Sequence, residues 1–236
     1  MEIRKRFSKN IAVLYLAGKI DINSAEFIEE TGRLLREGIE KILCDFSNVE
    51  VVDYNGLSIL SIAYKNIINR KGVLKFSNVP QHIRQLFKAA RLDMVFELCG
   101  DEESAIKSFD LSSKVDRLSL RRRFERIDVN ITLRYKIGVS GDAKLSRGKV
   151  LNLSGDGLFV HSKNIFPLST ELYMEIGFPR YEKPLTVTGS VIWIADKELQ
   201  PHSYPGMGIE FRDIDKCKQT KIIDFIDKNL TRRSSA

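Results

Sequence analysis

Halfway along the chain the spacing of apolar residues changes period, and one uniform architecture cannot satisfy both patterns. Over roughly the first 109 residues, short apolar runs alternate with helical spacing. Ile11-Ala-Val-Leu-Tyr-Leu-Ala reads as a strand that ends at Gly18. Asn23-Ser-Ala-Glu26 has the form of a helix cap, and Phe27, Ile28, Thr31, Leu34 and Leu35 follow at helical spacing until Gly38. Ile42-Leu-Cys-Asp45 is a second strand, and residues 55–70 form an apolar helix with Leu57, Leu60, Tyr64, Ile67 and Ile68 on one stripe. Val73-Leu-Lys-Phe76 is a third strand. Pro80 opens another helix at its first-turn position, carrying Ile83, Leu86, Phe87 and Ala90. Val95-Phe-Glu-Leu98 and a helix capped at Asp101 complete the series. Strand and helix in repeated alternation predict a small α/β domain with a mostly parallel sheet.

The second half has a period of two. Val129, Ile131, Leu133 and Tyr135 alternate with Asp128, Asn130, Thr132 and Arg134. Leu172, Met174, Ile176 and Phe178 repeat the pattern, as do Leu185, Val187, Val191 and Trp193, then Met207, Ile209 and Phe211. Half-buried antiparallel strands of this kind close most readily into a small barrel, which leaves no exposed edge. A final helix, about residues 215–229, offers Ile222, Ile223, Phe225 and Ile226 to pack on it. The expected division is a first domain at 1–109, a charged linker at 110–120, a second domain at 121–230 and a tail at 231–236.

Charge separates the halves as sharply as period does. Residues 1–110 carry 16 basic and 16 acidic side chains, so the whole excess of +7 belongs to the remainder. Between Lys114 and Arg126 there are six basic residues against two acidic ones, a local cluster that favours an anionic ligand. Non-specific nucleic-acid binding is the weaker reading, because no interleaving of aromatic and basic residues marks a base-stacking platform. Three scattered cysteines without a CxxC pair fit reduced thiols in a core. The start lacks an apolar signal core, and the longest uncharged apolar stretch, 54–64, has eleven residues, so a cytoplasmic protein without a membrane span is expected. No nucleotide-binding glycine loop, metal-spaced cluster or nucleophile with a neighbouring base is present, so a non-enzyme without metal or cofactor is expected.

Two motifs in the second half belong together. Arg122 and Arg126 stand four apart just before the first barrel strand, and Asn152-Leu-Ser154-Gly-Asp-Gly157 forms a polar glycine turn between two strands. Arg-x-x-x-Arg followed by Asn-x-Ser-x-x-Gly resembles the PilZ domain, a bacterial receptor for cyclic di-GMP, over about residues 118–230. Gly189-Ser-Val-Ile-Trp193 and Gly208-Ile-Glu-Phe211 also resemble that family's pattern. The resemblance implies a six-stranded barrel and a cyclic di-GMP site made by Arg122, Arg126, Asn152, Ser154 and Gly157. It also implies that Arg121 favours a stacked pair of ligand molecules. The chemistry is consistent: a guanidinium is a planar fork that matches phosphate oxygens and the O6/N7 edge of guanine, which lysine cannot do. On this reading the two arginines lie on a flexible entry segment that closes over the ligand, and Gly157 allows a tight turn and close approach.

In the first half, Gly18-Lys-Ile-Asp21, Asp45-Phe-Ser-Asn-Val49 and Val52-Asp-Tyr-Asn-Gly-Leu57 resemble the strand-end motifs of STAS domains, the anti-sigma-factor antagonist fold. Ala89-Ala-Arg-Leu-Asp93 and Val95-Phe96 are similar to its last helix and strand, so the resemblance runs over about residues 3–109. It implies a protein partner, an anti-sigma factor or a related kinase-like protein, and a partner surface around Asp53, Asn55, Gly56 and Ser58. In antagonists of this family a serine or threonine before the second helix is phosphorylated, where its charge has most leverage. Here Asn55 occupies that position, as a helix cap that accepts no phosphate. The expectation is a two-domain adaptor in which control has passed from phosphorylation to cyclic di-GMP on the neighbouring domain. The alternative is a constitutive STAS-type interaction protein whose PilZ fold binds no nucleotide.

Overall fold

The computed structural model describes residues 1–111, 124–138, 145–179, 181–195 and 205–233. The chain divides into two compact units, Met1–Arg121 and Arg122–Ala236, each described here by itself. Most of the expected linker, including 112–120, lies outside the described residues, as do Arg121 and Arg122.

The first unit is an α/β sheet with five strands in the order β1 (Glu2–Ser8), β2 (Ile11–Ile20), β3 (Lys41–Val52), β4 (Val73–Ser77) and β5 (Glu97–Cys99). β1 pairs antiparallel with β2, and the other pairs are parallel. The helices are α1 (Glu26–Arg36), α2 (Tyr54–Asn69), α3 (Gln81–Ala89) and α4 (Glu102–Leu111).

Several boundaries differ from the sequence reading. β1 is not anticipated, because its charged residues are almost all exposed and give no alternation; charge is a common protection for an edge strand. Gly18 does not end β2. It lies inside the strand with φ +82° at a shift of register, and the strand bends there and continues. Asn23 does not cap α1: Asp21 caps a short 3-10 turn, Ile22–Ser24, where its carboxylate accepts from the Asn23 N–H and Ser24 Oγ accepts from the Asp21 N–H, and α1 then starts after Ala25 without a side-chain cap. Pro80 is the residue before α3 rather than its first turn, and Val95 and Phe96 precede β5.

Two buried charges hold this unit together. Lys75, fully buried on β4, donates to Ser108 Oγ of α4 at 2.7 Å and pairs with Glu97 of β5 at 2.5 Å. Its ammonium also lies 4.8 Å from the centre of the Phe109 ring. Asp45, where the pairing of β3 with β4 ends, accepts from the Ser47 N–H and hydroxyl, Ser77 Oγ and Asn78 Nδ2. Burial alone would raise its pKa, but these donors outweigh burial and hold the carboxyl below its usual range. The folded group binds its proton less readily than the unfolded one. Its stabilisation is therefore complete above about pH 4 and is lost as pH falls through the depressed folded value. Asp45→Ala is expected to cost about 3 kcal/mol by stranding several buried donors, measured by urea unfolding. The gap between variant and parent should narrow below about pH 4; a gap that widens there contradicts the assignment.

The second unit is a closed antiparallel barrel. Its strands are β6 (Arg126–Ile137), β7 (Ser146–Ser154), β8 (Gly157–His161), β9 (Glu171–Gly177), β10 (Leu185–Ala195) and β11 (Gly206–Arg212), in the circular order β10-β11-β8-β7-β6-β9. The period-two residues point inward with the exception of Trp193: Leu133, Tyr135, Met174, Ile176, Val191 and Met207 are fully buried, but a shift of register after Val191 puts Ile194 and not Trp193 into the core. Helix α5 (Lys216–Arg233) adds Ile222 and Ile226 to the same core, and its Phe225 packs on Phe178 with ring centres 4.8 Å apart.

Candidate functional site

The polar motif of the second unit folds as a two-residue hairpin. Ser154 ends β7, Gly155 and Asp156 turn, and Gly157 starts β8 opposite Ser154. On the other side of β7, Arg126 pairs with Ser154 and Asp128 with Asn152. The register therefore sets Arg126, Asp128, Asn152 and Ser154 on one side of the sheet, with Ser154 only 6% exposed and the inward Ile127 and Leu153 fixing the register from below. Asn152 Nδ2 donates to Asp128 Oδ1 at 3.3 Å, and Ser154 Oγ donates to the Gly157 carbonyl at 3.2 Å. Arg126 is exposed and is the first residue of β6, so it stands on the barrel itself and not on an entry segment. Arg121 and Arg122 lie outside the described residues.

Gly157 is required for a different reason from the one expected. It does not adopt a positive φ, so no left-handed turn explains it. A Cβ at this position would lie 2.3 Å from the Ile209 carbonyl oxygen, so the close passage of β11 excludes any side chain. Phe124 covers the turn from outside, where a Cβ on Gly155 would meet its ring at 2.7 Å. The turn is tied to its surroundings by the Phe211 N–H donating to Asp156 O at 2.8 Å and Gln219 Nε2 donating to Gly155 O at 3.2 Å.

The pairing also assembles two aromatic residues that the sequence reading leaves apart as sites. Gly208 of β11 pairs with Phe159 of β8 on one side and with Trp193 of β10 on the other. Phe159 alternates with the buried Leu158 and Val160 and faces outward, and Trp193, half-buried before the buried Ile194, follows a shift of register after Val191. Glycines make room for them: a Cβ on Gly208 would meet Trp193 Cβ at 2.9 Å, and one on Gly206 would meet the Phe159 ring at 2.9 Å. Phe159 also pairs with Asn152, so this aromatic pair adjoins the polar hairpin. Close to the same hairpin, a cavity of about 270 Å³ opens between β6 and α5, with Asp128, Asn130, Tyr181, Phe225 and Lys228 in its walls. Flat rings beside a guanidinium and short polar side chains suit a planar base joined to a phosphate.

At the start of α2 in the first unit, Asp53 is the cap, accepting the Gly56 N–H at 2.8 Å. Asn55 is therefore inside the first turn and not at the cap, which corrects the sequence expectation; its neighbour Asp53 has the extended backbone a cap requires. Asn55 is only 8% exposed, and its Oδ1 has no hydrogen-bond partner among the described residues. Gly56 presses on β2, where a Cβ would stand 2.1 Å from the Ile20 carbonyl oxygen. Ser58 is buried and donates back to Tyr54 O at 3.2 Å. Of the four residues expected on a partner surface, Asp53 alone is partly exposed, and the groups that project here are Val51 and Tyr54. Among the described residues, no cluster of three or more His, Cys, Asp or Glu side chains could hold a metal ion, and no helix is long and apolar enough to cross a membrane.

Comparison with known families places both units. Residues 2–105 match the STAS domain and residues 120–228 match the PilZ domain. Among solved structures, the Bacillus subtilis inhibitor of motility MotI/DgrA is 19% identical, with 48% of this chain and 53% of that chain covered at a TM-score of 0.40. The chain thus spans about half the length of that protein. A putative anti-sigma factor antagonist from Thermotoga maritima is 17% identical over 45% of this chain and 92% of its own, with a TM-score of 0.42. The PilZ domain of YcgR from Escherichia coli, solved with c-di-GMP, is 14% identical over 49% and 98%, with a TM-score of 0.38.

Proposed function

We propose, for a chain that consists of a STAS domain followed by a PilZ domain, that it is an adaptor that binds cyclic di-GMP on the barrel and passes the change to a protein partner of the STAS domain. The observation that carries this reading is the PilZ match over 120–228, which spans both motifs, together with the register that sets Arg126 opposite Ser154 and Asp128 opposite Asn152. Arg122 and Arg126 supply fork-shaped donors for the phosphates and the O6/N7 edge of guanine. Asn152 and Ser154 bind polar groups of the ligand, and Arg121 favours a second, stacked molecule. Phe159 and Trp193 offer ring faces for a base, which extends the site beyond the two motifs.

In this reading nothing is transformed, and the ligand acts by favouring one conformation of the chain over another. The STAS domain contributes the contact surface at the start of α2, where Val51 and Tyr54 are exposed. Phosphorylation has no acceptor at Asn55, so the nucleotide supplies the switch. The barrel reports directly on itself, because Trp193 is the only tryptophan of the chain. Titration with cyclic di-GMP should change its fluorescence saturably, and GTP at the same concentration should not. An unchanged emission alongside measured binding would remove Trp193 from the site.

A further inference from the structure

The barrel has a second feature of ligand type at the end far from the nucleotide motif. β6 runs twelve residues from Arg126 to Ile137, which sets its two ends about 35 Å apart along the strand. β7 pairs with β6 only as far as Tyr135, while β9 still pairs with Ile137 through Leu172; at this one-sided rim Ile137 is 54% exposed. Ile165, in the connection after β8, is 38% exposed. That connection is held at the same end: Tyr135 Oη donates to Asn164 O at 3.0 Å, and Asn164 Nδ2 donates to Ser146 Oγ at 3.1 Å.

Basic side chains surround these two tips. Lys163 and Arg147 are exposed, Lys149 lies one outward position further along β7, and Lys136 precedes Ile137. Arg134 and Arg147 stand directly opposite each other across β6 and β7, an arrangement that costs stability in a sheet unless an anion or a carboxylate intervenes. Arg134 has Glu175 at 2.5 Å, which leaves Arg147 facing outward beside Lys149 and Lys163. Glu171, at the start of β9, is the other carboxylate among the described residues at this end, so the balance stays positive.

We propose that this end of the barrel docks on an anionic lipid surface, with Ile137 and Ile165 entering the headgroup boundary and Lys136, Arg147, Lys149 and Lys163 facing lipid phosphates. Two single projecting side chains suit insertion into a soft interface better than a fit to a protein partner, which takes a contiguous patch or a groove. Long basic side chains with apolar stems are suited to the same boundary. Each basic residue near an anionic bilayer contributes roughly fivefold to partitioning, so the surface binds reversibly and depends on salt.

The test is flotation of the full chain with vesicles of phosphatidylcholine alone and of phosphatidylcholine with 30% phosphatidylglycerol. The full chain should float with the anionic vesicles at 50 mM salt, only weakly with the neutral ones, and be released at 500 mM salt. Arg147→Glu/Lys163→Glu should reduce partitioning by at least about 25-fold, and Ile137→Ser/Ile165→Ser by about tenfold. Lys65→Glu/Lys88→Glu, on exposed positions of α2 and α3, makes the same change in net charge and should leave binding within about threefold. Thermal unfolding like that of the parent establishes that the variants are folded. Failure to float with anionic vesicles overturns the proposal and leaves these charges to an acidic protein; so does equal loss in both charge-reversed pairs.

Discussion

Replacing both arginines of the first PilZ motif, Arg122→Ala/Arg126→Ala, is expected to abolish measurable cyclic di-GMP binding while leaving thermal unfolding close to that of the parent. One lost charged hydrogen bond costs about 1.5–3 kcal/mol, or about ten- to over a hundredfold in affinity. Two such losses, to a ligand with two phosphates, multiply to between about a hundredfold and over ten-thousandfold if they act independently. Arg126 is exposed at the edge of the barrel and contributes nothing to its core, so stability should hold. The single variants separate the roles, with lysine at either position expected to recover little, because an ammonium cannot make the paired contact. Affinity in the double variant within tenfold of the parent would remove the motif from the site.

The second large effect comes from Gly157→Ala. The new methyl would stand 2.3 Å from the Ile209 carbonyl oxygen, a backbone atom in the neighbouring strand that cannot rotate away. β8 and β11 must separate, so the expected loss is about 3 kcal/mol in barrel stability, read by Trp193 fluorescence in urea. Binding should weaken as well, because the displaced strand carries the hairpin that positions Ser154. Gly155→Ala is the informative contrast. Its methyl meets the ring of Phe124, a side chain that can turn aside, so the cost should be clearly smaller. Equal stability of Gly157→Ala and the parent would contradict the packing described here.

What the sequence made legible, and what it hid, follows from the range of the interactions involved. The barrel was readable because each strand carries its own inward set, as in Leu172, Met174 and Ile176, and no distant residue is needed to see the pattern. The same holds for α1, whose apolar face lies within one helix. β1 was hidden because an exposed edge strand shows no alternation. Lys75 shows no local sign of its burial within a legible strand, because its partners Glu97 and Ser108 come from distant elements. Asp53 and Asn55 are both good caps by residue type, and only the backbone geometry decides between them.

The site divides in the same way. Arg126, Asn152 and Ser154 stood out through spacing, and the register places them on one face. Phe159 and Trp193 are 34 positions apart and became neighbours of one residue only through Gly208, which pairs with both. Gly157 was noticed for a turn that it does not make, since the strand that requires it lies about fifty residues further along the chain. No local pattern carries that information. A signal was nonetheless available, because glycine is costly inside a strand and Gly206 and Gly208 both sit in one.

The most direct measurement is calorimetric titration of the full chain with cyclic di-GMP, beside GTP and cyclic di-AMP. Saturable heat with cyclic di-GMP alone is predicted, with two molecules per chain if Arg121 supports a stacked pair. No heat at ligand concentrations up to about 100 μM, well above a micromolar dissociation constant, would contradict the account and leave a constitutive STAS-type interaction protein in its place.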